Sequence, residues 1–228
     1  MKNNNKFRLD VWGAITLGTI ALYALFLLYP MAYLIRQSVL DPDTGSFTLA
    51  YFTKFFSKSY YFDTLINSFK VSITATVLSI AIGTPLAYLF TIFKIKGKSV
   101  LNILIVVASM SAPFIGAYSW ILLLGRSGII TTFFKNLGIA IPDIYGFGGI
   151  VLVMTLQLFP LVFLYAKGAL KNIDNSLIEA AENLGCSGIA CFFKVVVPLI
   201  MPTLLAAALL VFMRSFADFG TPMLIGEG

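Results

Sequence analysis

Five long runs without any Asp, Glu, Lys or Arg constrain the fold of this chain more than any other feature of its sequence. The runs cover residues 11–35, 71–93, 99–125, 144–166 and 195–213. A helix needs about 20 mostly apolar residues to cross the hydrocarbon core of a bilayer, where it must satisfy its own backbone polar groups. If all five runs were core helices of a soluble protein, too little polar sequence would remain to cover them. We therefore expect an all-α integral membrane protein with five spans.

The composition excludes most enzyme classes. Charged residues make up 11% of the 228 residues, whereas a soluble domain carries roughly a quarter. Histidine is absent and cysteine occurs only at Cys186 and Cys191, so a Ser-His-Asp triad, a histidine metal site and a disulfide framework lack their residues. We expect no catalytic residue, no metal and no cofactor in this chain.

The net charge is +6. In a membrane protein the distribution of positive charge indicates which loops face the cytoplasm, and we expect no nucleic acid as a partner. Basic residues gather in two short connections between spans, and short loops rich in Lys and Arg stay in the cytoplasm. These residues are Lys94, Lys96, Lys98, Lys167, Lys171 and Lys194. The sequence thus predicts a multi-pass protein of the cell membrane, partnered by the lipid bilayer, with its N-terminus in the cytoplasm.

With this orientation, the segment 214–228 lies outside and reads as a loop or a short re-entrant stretch, because Pro222 and three glycines interrupt it. It ends without a sixth span. We therefore expect residues 1–228 to form a single transmembrane domain that is incomplete at its C-terminus.

The most informative cytoplasmic segment covers residues 167–198. Ser176 followed by Glu179 predicts a capping box at the start of a short helix, and Gly185 predicts its end. The helix would carry one narrow apolar stripe, formed by Leu177, Ala180, Ala181 and Leu184. A helix this short is marginal in water, so the stripe must pack either against the spans of the same chain or against a partner.

This segment resembles the EAA loop of ABC import permeases. The family pattern is Glu-Ala-Ala, three residues, Gly, nine residues and then Ile-x-Leu-Pro. Glu179, Ala180, Ala181, Gly185 and Pro198 match it at the right spacing, with two valines in place of Ile and Leu. Stretches from residues 67 and 111 are similar to the second and third spans of the family, and the SFADFGTPMLIG stretch is most similar to its ferric iron branch.

The resemblance implies a helical bundle of the ABC importer permease type, which moves a small solute handed over by an extracytoplasmic binding protein. It implies as partners a dimer of cytoplasmic ATPase subunits, which hydrolyse the ATP, and a second permease subunit or half. The predicted docking residues on the loop are Leu177, Glu179, Ala180, Ala181, Leu184, Gly185 and Pro198. Ferric iron is the favoured solute, with polyamine, phosphonate, thiamine or an inorganic anion as alternatives. Other classes that remain open are a gradient-driven secondary transporter and a membrane scaffold.

Two groups of residues are candidates for the transport pathway. Polar and helix-breaking residues within spans could open a cavity, and we single out Ser109, Ser111, Pro113, Gly116 and Gln157. A proline kink packed against its neighbours is the favoured interpretation of the first four, and the same interpretation is favoured for Gln157 with Pro160 in the fourth span. Arg214 and Asp218 stand four residues apart at the outer end of the fifth span; they predict an i,i+4 ion pair and are candidates for an outer gate.

Overall fold

The computed structural model describes residues 11–41, 44–93, 96–110, 112–139, 142–186 and 188–226. Within them it contains twelve α-helices and two π-helical turns. The α-helices are α1 (Val11–Tyr23), α2 (Tyr29–Val39), α3 (Ala50–Ser57), α4 (Ser59–Ile92), α5 (Lys98–Ser109), α6 (Pro113–Leu124), α7 (Ile129–Asn136), α8 (Phe147–Lys171), α9 (Asn175–Asn183), α10 (Gly188–Cys191), α11 (Val197–Phe216) and α12 (Gly220–Ile225). Five stretches are long and apolar enough to cross a membrane: Val11–Val39, Ser59–Ile92, Phe114–Asn136, Phe147–Lys171 and Gly188–Phe216.

The chain divides into two compact units, residues 1–65 and residues 66–228. In the first unit, α1 and α2 bury none of their residues, as expected for helices whose solvent is lipid. A single antiparallel bridge between Leu40 and Phe47 closes the loop after α2. Aromatic residues follow it in α3 and at the start of α4, where the rings of Phe55 and Tyr61 stack with their centroids 5.5 Å apart.

The second unit is built around α8, which packs against α11 over most of its length. Val162, Phe163 and Ala166 of α8 are completely buried in the main core cluster. The helix α4 buries a series of small residues, namely Ser72, Ala75, Thr76, Ser79, Gly83 and Ala87. It approaches α8 closely at two of them: the Ser79 hydroxyl lies 3.5 Å from the Thr155 carbonyl, and a Cβ on Gly83 would stand 2.8 Å from Cβ of Val162. Small residues let two helix backbones come close together in a bilayer, where packing rather than water drives association.

A proline lies two residues after the last residue of each π-helical turn. The first turn is Ala24–Leu28, and the N–H of Tyr29 then donates to the carbonyl of Ala24, five residues back. The second turn is Phe192–Val196, and the N–H of Val197 donates to Phe192 in the same way. Pro30 and Pro198 come directly after Tyr29 and Val197. A proline has no N–H and its ring clashes with the carbonyl four residues earlier, so the preceding turn widens to accommodate it.

The structure confirms an all-α fold with five candidate spans, but it moves several of their boundaries. The predicted span 99–125 is wrong as a single helix: it breaks between α5 and α6, because Ala112 is extended and Pro113 starts a new helix. The favoured reading of this stretch, a tolerated proline kink, is therefore wrong as well. The helix of the second span begins at Ser59, well before residue 71, and that of the fifth at Gly188 rather than 195.

The stretch that follows the last span contains the short helix α12. Thr221 and Ile225 in this helix are completely buried, and the Ile225 carbonyl accepts a hydrogen bond of 2.8 Å from the Gly146 N–H at the start of α8. Gly220 lies so close to the ring of Phe114 in α6 that a Cβ there would stand 3.1 Å from it. The sequence predicted either a loop or a short re-entrant stretch here. The structure has a short helix that packs against α6 and α8, and not an open loop.

Candidate coupling loop and pathway cavity

The helix α9 of the predicted loop begins two residues earlier than the sequence indicated. The Asp174 carboxylate accepts a hydrogen bond of 3.0 Å from the N–H of Ser176, which is the pattern of an N-cap. This hydrogen bond holds the pKa of the Asp174 carboxyl below its usual range. The predicted capping box of Ser176 and Glu179 is therefore wrong, because Ser176 already lies inside the helix and Asp174 provides the cap.

The end of α9 agrees with the sequence prediction for Gly185. This glycine has a φ of +84°, and the N–H of Cys186 donates to the carbonyl of Ala181 over 3.0 Å. Together these are the features of a Schellman turn, which requires the left-handed conformation that glycine adopts at no steric cost. A Cβ at Gly185 would meet nothing within 4 Å, so the backbone conformation, and not the available space, calls for glycine here.

Most of the apolar stripe of α9 faces outward instead of packing on the chain itself. Leu184 is 89% exposed and Leu177 is 50% exposed. Ala180 and Glu179 are exposed and Ala181 is half-buried. A different face of the helix holds α9 to the bundle, since Ile178 packs against the main core cluster.

The sequence prediction missed two exposed apolar residues beside this stripe. Ile189 in α10 is 78% exposed and Phe193 in the following π-turn is 63% exposed. The signal was available in the GIACFF stretch, where apolar residues continue past Gly188 without a polar face to accompany them. Pro198 is also exposed, in the first turn of α11.

A second feature is a cavity of about 530 Å³ in the unit 66–228. Helices α5, α6, α8 and the end of α11 contribute to its wall. The lining residues are Ser109, Phe114, Gln157, Leu158, Arg214, Ala217, Asp218, Phe219 and Gly220. The structure therefore brings together Ser109 and Gln157 from the predicted pathway with Arg214 and Asp218 from the predicted outer gate.

Gly116 lies next to this cavity although it does not line it. It is buried, and a Cβ on Gly116 would clash with the side-chain amide of Gln157. The Gln157 Nε2 atom is buried there without a hydrogen-bond partner. Pro113 is the first residue of α6, whereas Ser111 lies outside the described residues.

Asp218 serves as a helix cap and not as the partner of Arg214. Its carboxylate accepts hydrogen bonds from the N–H of Gly220 at 2.8 Å, the N–H of Thr221 at 3.2 Å and the Thr221 hydroxyl at 2.6 Å. The predicted i,i+4 ion pair is wrong because α11 ends at Phe216, which places Asp218 off the helix. The ion pair that the described residues form is instead between Arg126 and Asp143, at 3.2 Å.

Residues 46–228 match the profile of the binding-protein-dependent transport system inner membrane component family. This chain belongs to that family. The chain is 29% identical over 209 residues to the putative ferric transport system permease protein FbpB 1 of Haemophilus influenzae, a match that covers 91% of the chain and 33% of the relative. It is also 29% identical over 232 residues to the spermidine/putrescine transport system permease protein PotB of the same organism, covering 98% of the chain and 79% of the relative.

Its fold is similar to that of a chain in a bacterial ABC transporter involved in the import of the acidic polysaccharide alginate. The TM-score is 0.69 at 17% identity, and the match covers 95% of this chain and 77% of the other. A second structure of a bacterial alginate ABC transporter, in complex with its periplasmic protein bound to an alginate pentasaccharide, gives a TM-score of 0.70 at 18% identity. These matches confirm the predicted permease fold. The chain spans about a third of the length of the two ferric permeases that it matches.

Proposed function

We propose that this chain is the permease subunit of an ATP-driven importer and that helix α9 is the element through which an ATPase subunit drives it. The observation that carries the proposal is the exposed stripe of α9, with Leu184 89% exposed. A leucine this exposed outside the spans gains about 1.5–3 kcal/mol when a partner covers it completely. The Schellman turn at Gly185 fixes the angle at which this stripe is presented.

The loop is connected directly to the transmembrane bundle. The short helix α10 leads through the π-turn Phe192–Val196 into α11, and Phe192 and Val196 are buried in the main core cluster. A force on α9 and α10 would therefore reach α11, whose C-terminal end carries Arg214 and the wall of the cavity. Rocking of packed helices is a known way to convert such a local push into alternating access.

The cavity of about 530 Å³ would form one section of the solute pathway. It lies where the helix of the third predicted span is broken, so that backbone groups near Ser109 lie beside a cavity rather than beside lipid. We expect the N-terminus and the loop on the cytoplasmic side and the solute to arrive from an extracytoplasmic binding protein. A second permease subunit or half would complete the pathway.

Ferric iron is the solute we propose, supported by the identity to FbpB 1 over 91% of this chain. A polyamine is the second candidate, because the identity to PotB is the same and the match covers 98% of the chain. The described residues contain no group of three or more Cys, Asp or Glu that could hold a metal ion. Ferric iron would be the cargo of the pathway, handed over by the extracytoplasmic binding protein.

The docking role can be tested by co-purification with the ATPase subunit from the native host. We expect Leu184→Glu to abolish co-purification without changing thermal stability, because the side chain has almost no contact to lose. Leu137→Glu, at a leucine that is 60% exposed, is the matched control and should retain the ATPase. If Leu184→Glu and Leu137→Glu retain equal amounts of ATPase, α9 is not the docking element.

The solute can be tested separately by uptake of radiolabelled ferric iron and of spermidine into cells that depend on this permease. Iron uptake that requires both ATPase and binding protein would support the first candidate. Uptake of spermidine but not of iron would replace it with the second.

A further inference from the structure

A cluster of lysines marks the end of the bundle from which α9 emerges. Lys98 is the first residue of α5, and Lys167 and Lys171 belong to the last two turns of α8. Lys98 and Lys171 both lie within electrostatic range of the Lys167 ammonium. Among the side chains that the structure describes, no carboxylate forms an ion pair with any of the three.

Lys167 is held in place and does not reach freely into solvent. It is half-buried, its Nζ donates a hydrogen bond to Oδ1 of Asn102 in α5, and it lies 5.4 Å from the centre of the Phe163 ring. The hydrogen bond joins α5 to α8. This arrangement fixes one cation between two helices and leaves its other N–H donors for an acceptor.

The surface next to the cluster is apolar. Val100, Leu101 and Leu104, which follow Lys98 along α5, are 62%, 42% and 58% exposed. Cations at the end of a lipid-facing apolar surface match the two parts of a phospholipid, a charged phosphate above and acyl chains below. A free phosphate would use the lysines but not the apolar side chains.

We infer that Lys98, Lys167, Lys171 and Asn102 form a binding site for the phosphate headgroup of an anionic phospholipid, with its acyl chains along α5. The site is distinct from the pathway cavity and from the stripe of α9. It does not rest on the proposed transport function, because lipid binding can be measured on the permease chain without an ATPase or a solute.

The test is native mass spectrometry of the delipidated protein offered equal amounts of phosphatidylglycerol and phosphatidylcholine. Each lysine near a membrane surface contributes about fivefold to binding of an anionic lipid, so Lys167→Gln with Lys171→Gln should weaken phosphatidylglycerol binding about 25-fold. The control pair Lys54→Gln and Lys135→Gln lies in α3 and α7 and removes the same charge. It should change binding less than twofold.

Two further measurements separate charge from folding and lipid from free phosphate. Lys167→Arg with Lys171→Arg should keep binding, and both pairs should unfold at the temperature of the native protein. The inference is overturned if the arginine pair loses binding like the glutamine pair, if the control pair loses it equally, or if both lipids bind equally. Displacement of the lipid by millimolar inorganic phosphate would assign the site to free phosphate instead and overturn it too.

Discussion

Gly83→Ala probes a close contact between α4 and α8. A Cβ at Gly83 would stand 2.8 Å from Cβ of Val162, 2.9 Å from the carbonyl oxygen of Phe159 and 3.1 Å from the backbone nitrogen of Phe163. Two of these three atoms belong to the backbone of α8 and cannot rotate away. Restoring an ordinary contact of 3.4 Å requires α4 and α8 to separate by about 0.6 Å.

The magnitude follows from two opposing terms. Overpacking a tight interior by one methyl group typically costs 1–3 kcal/mol, and the fixed backbone atoms place Gly83 toward the upper end. Alanine regains about 1 kcal/mol because it is the better helix former. We therefore expect Gly83→Ala to lower the free energy of unfolding by about 1–2 kcal/mol.

Gly168→Ala in α8 is the matched control. A Cβ at Gly168 would meet nothing within 4 Å, so only the helix-propensity gain remains and the variant should be more stable by up to about 1 kcal/mol. Unfolding in mixed micelles of increasing sodium dodecyl sulfate, followed by circular dichroism, measures both. If Gly83→Ala unfolds at the same or a higher detergent fraction than Gly168→Ala, the close contact of α4 with α8 is refuted.

Three further outcomes test local features. Asp174→Asn should remove the pH dependence of the stability of α9. The Ser176 hydrogen bond lowers the pKa of the Asp174 carboxyl in the folded state, so its stabilisation is present above the unfolded pKa and lost as pH falls through the folded value. Hydrogen exchange of the α9 amides between pH 3 and 7 would detect this loss. Pro198→Ala should restore the missing N–H and slow amide exchange in the turn before it, whereas unchanged exchange would show that the proline is not the cause of the π-turn. Gly116→Ala should displace the Gln157 amide and cost about 1–3 kcal/mol by the same overpacking, and Gly116→Ala combined with Gln157→Ala should recover most of that loss.

The number of spans was predictable because hydrophobicity over 20 residues is a strong signal. The break between α5 and α6 was not, because a proline such as Pro113 is compatible with a kink as well as with the start of a new helix. Tertiary packing decides between the two. The extension of α4 back to Ser59 was hidden for a related reason, since Asp63 and Lys70 interrupt the apolar run without ending the helix.

The ends of α9 show the same contrast within a single element. The stop at Gly185 was predictable because only glycine adopts that φ easily. The start was misassigned because Asp and Ser are both favourable N-cap residues. In the structure Asp174 is the N-cap and Ser176 lies inside the helix. Four residues of the cavity wall, Ser109, Gln157, Arg214 and Asp218, could be nominated one by one from the sequence. Their convergence was not predictable, because it depends on how each helix is rotated about its axis. Arg214 and Asp218 illustrate this, since a helix two residues longer would have paired them.

The wide turn at Phe192–Val196 amounts to one extra residue inserted into an otherwise regular helix. Each residue of an α-helix turns the chain by about 100°, so the insertion rotates everything before it by that angle relative to α11. Ile189 therefore points in a direction that an uninterrupted helix would have given to a different residue. Deleting one residue from the turn would restore a regular α-helix and rotate the loop toward a different side of the bundle. The orientation of the loop relative to α11 is thus set by a single widened turn and by Pro198, which lies just after it.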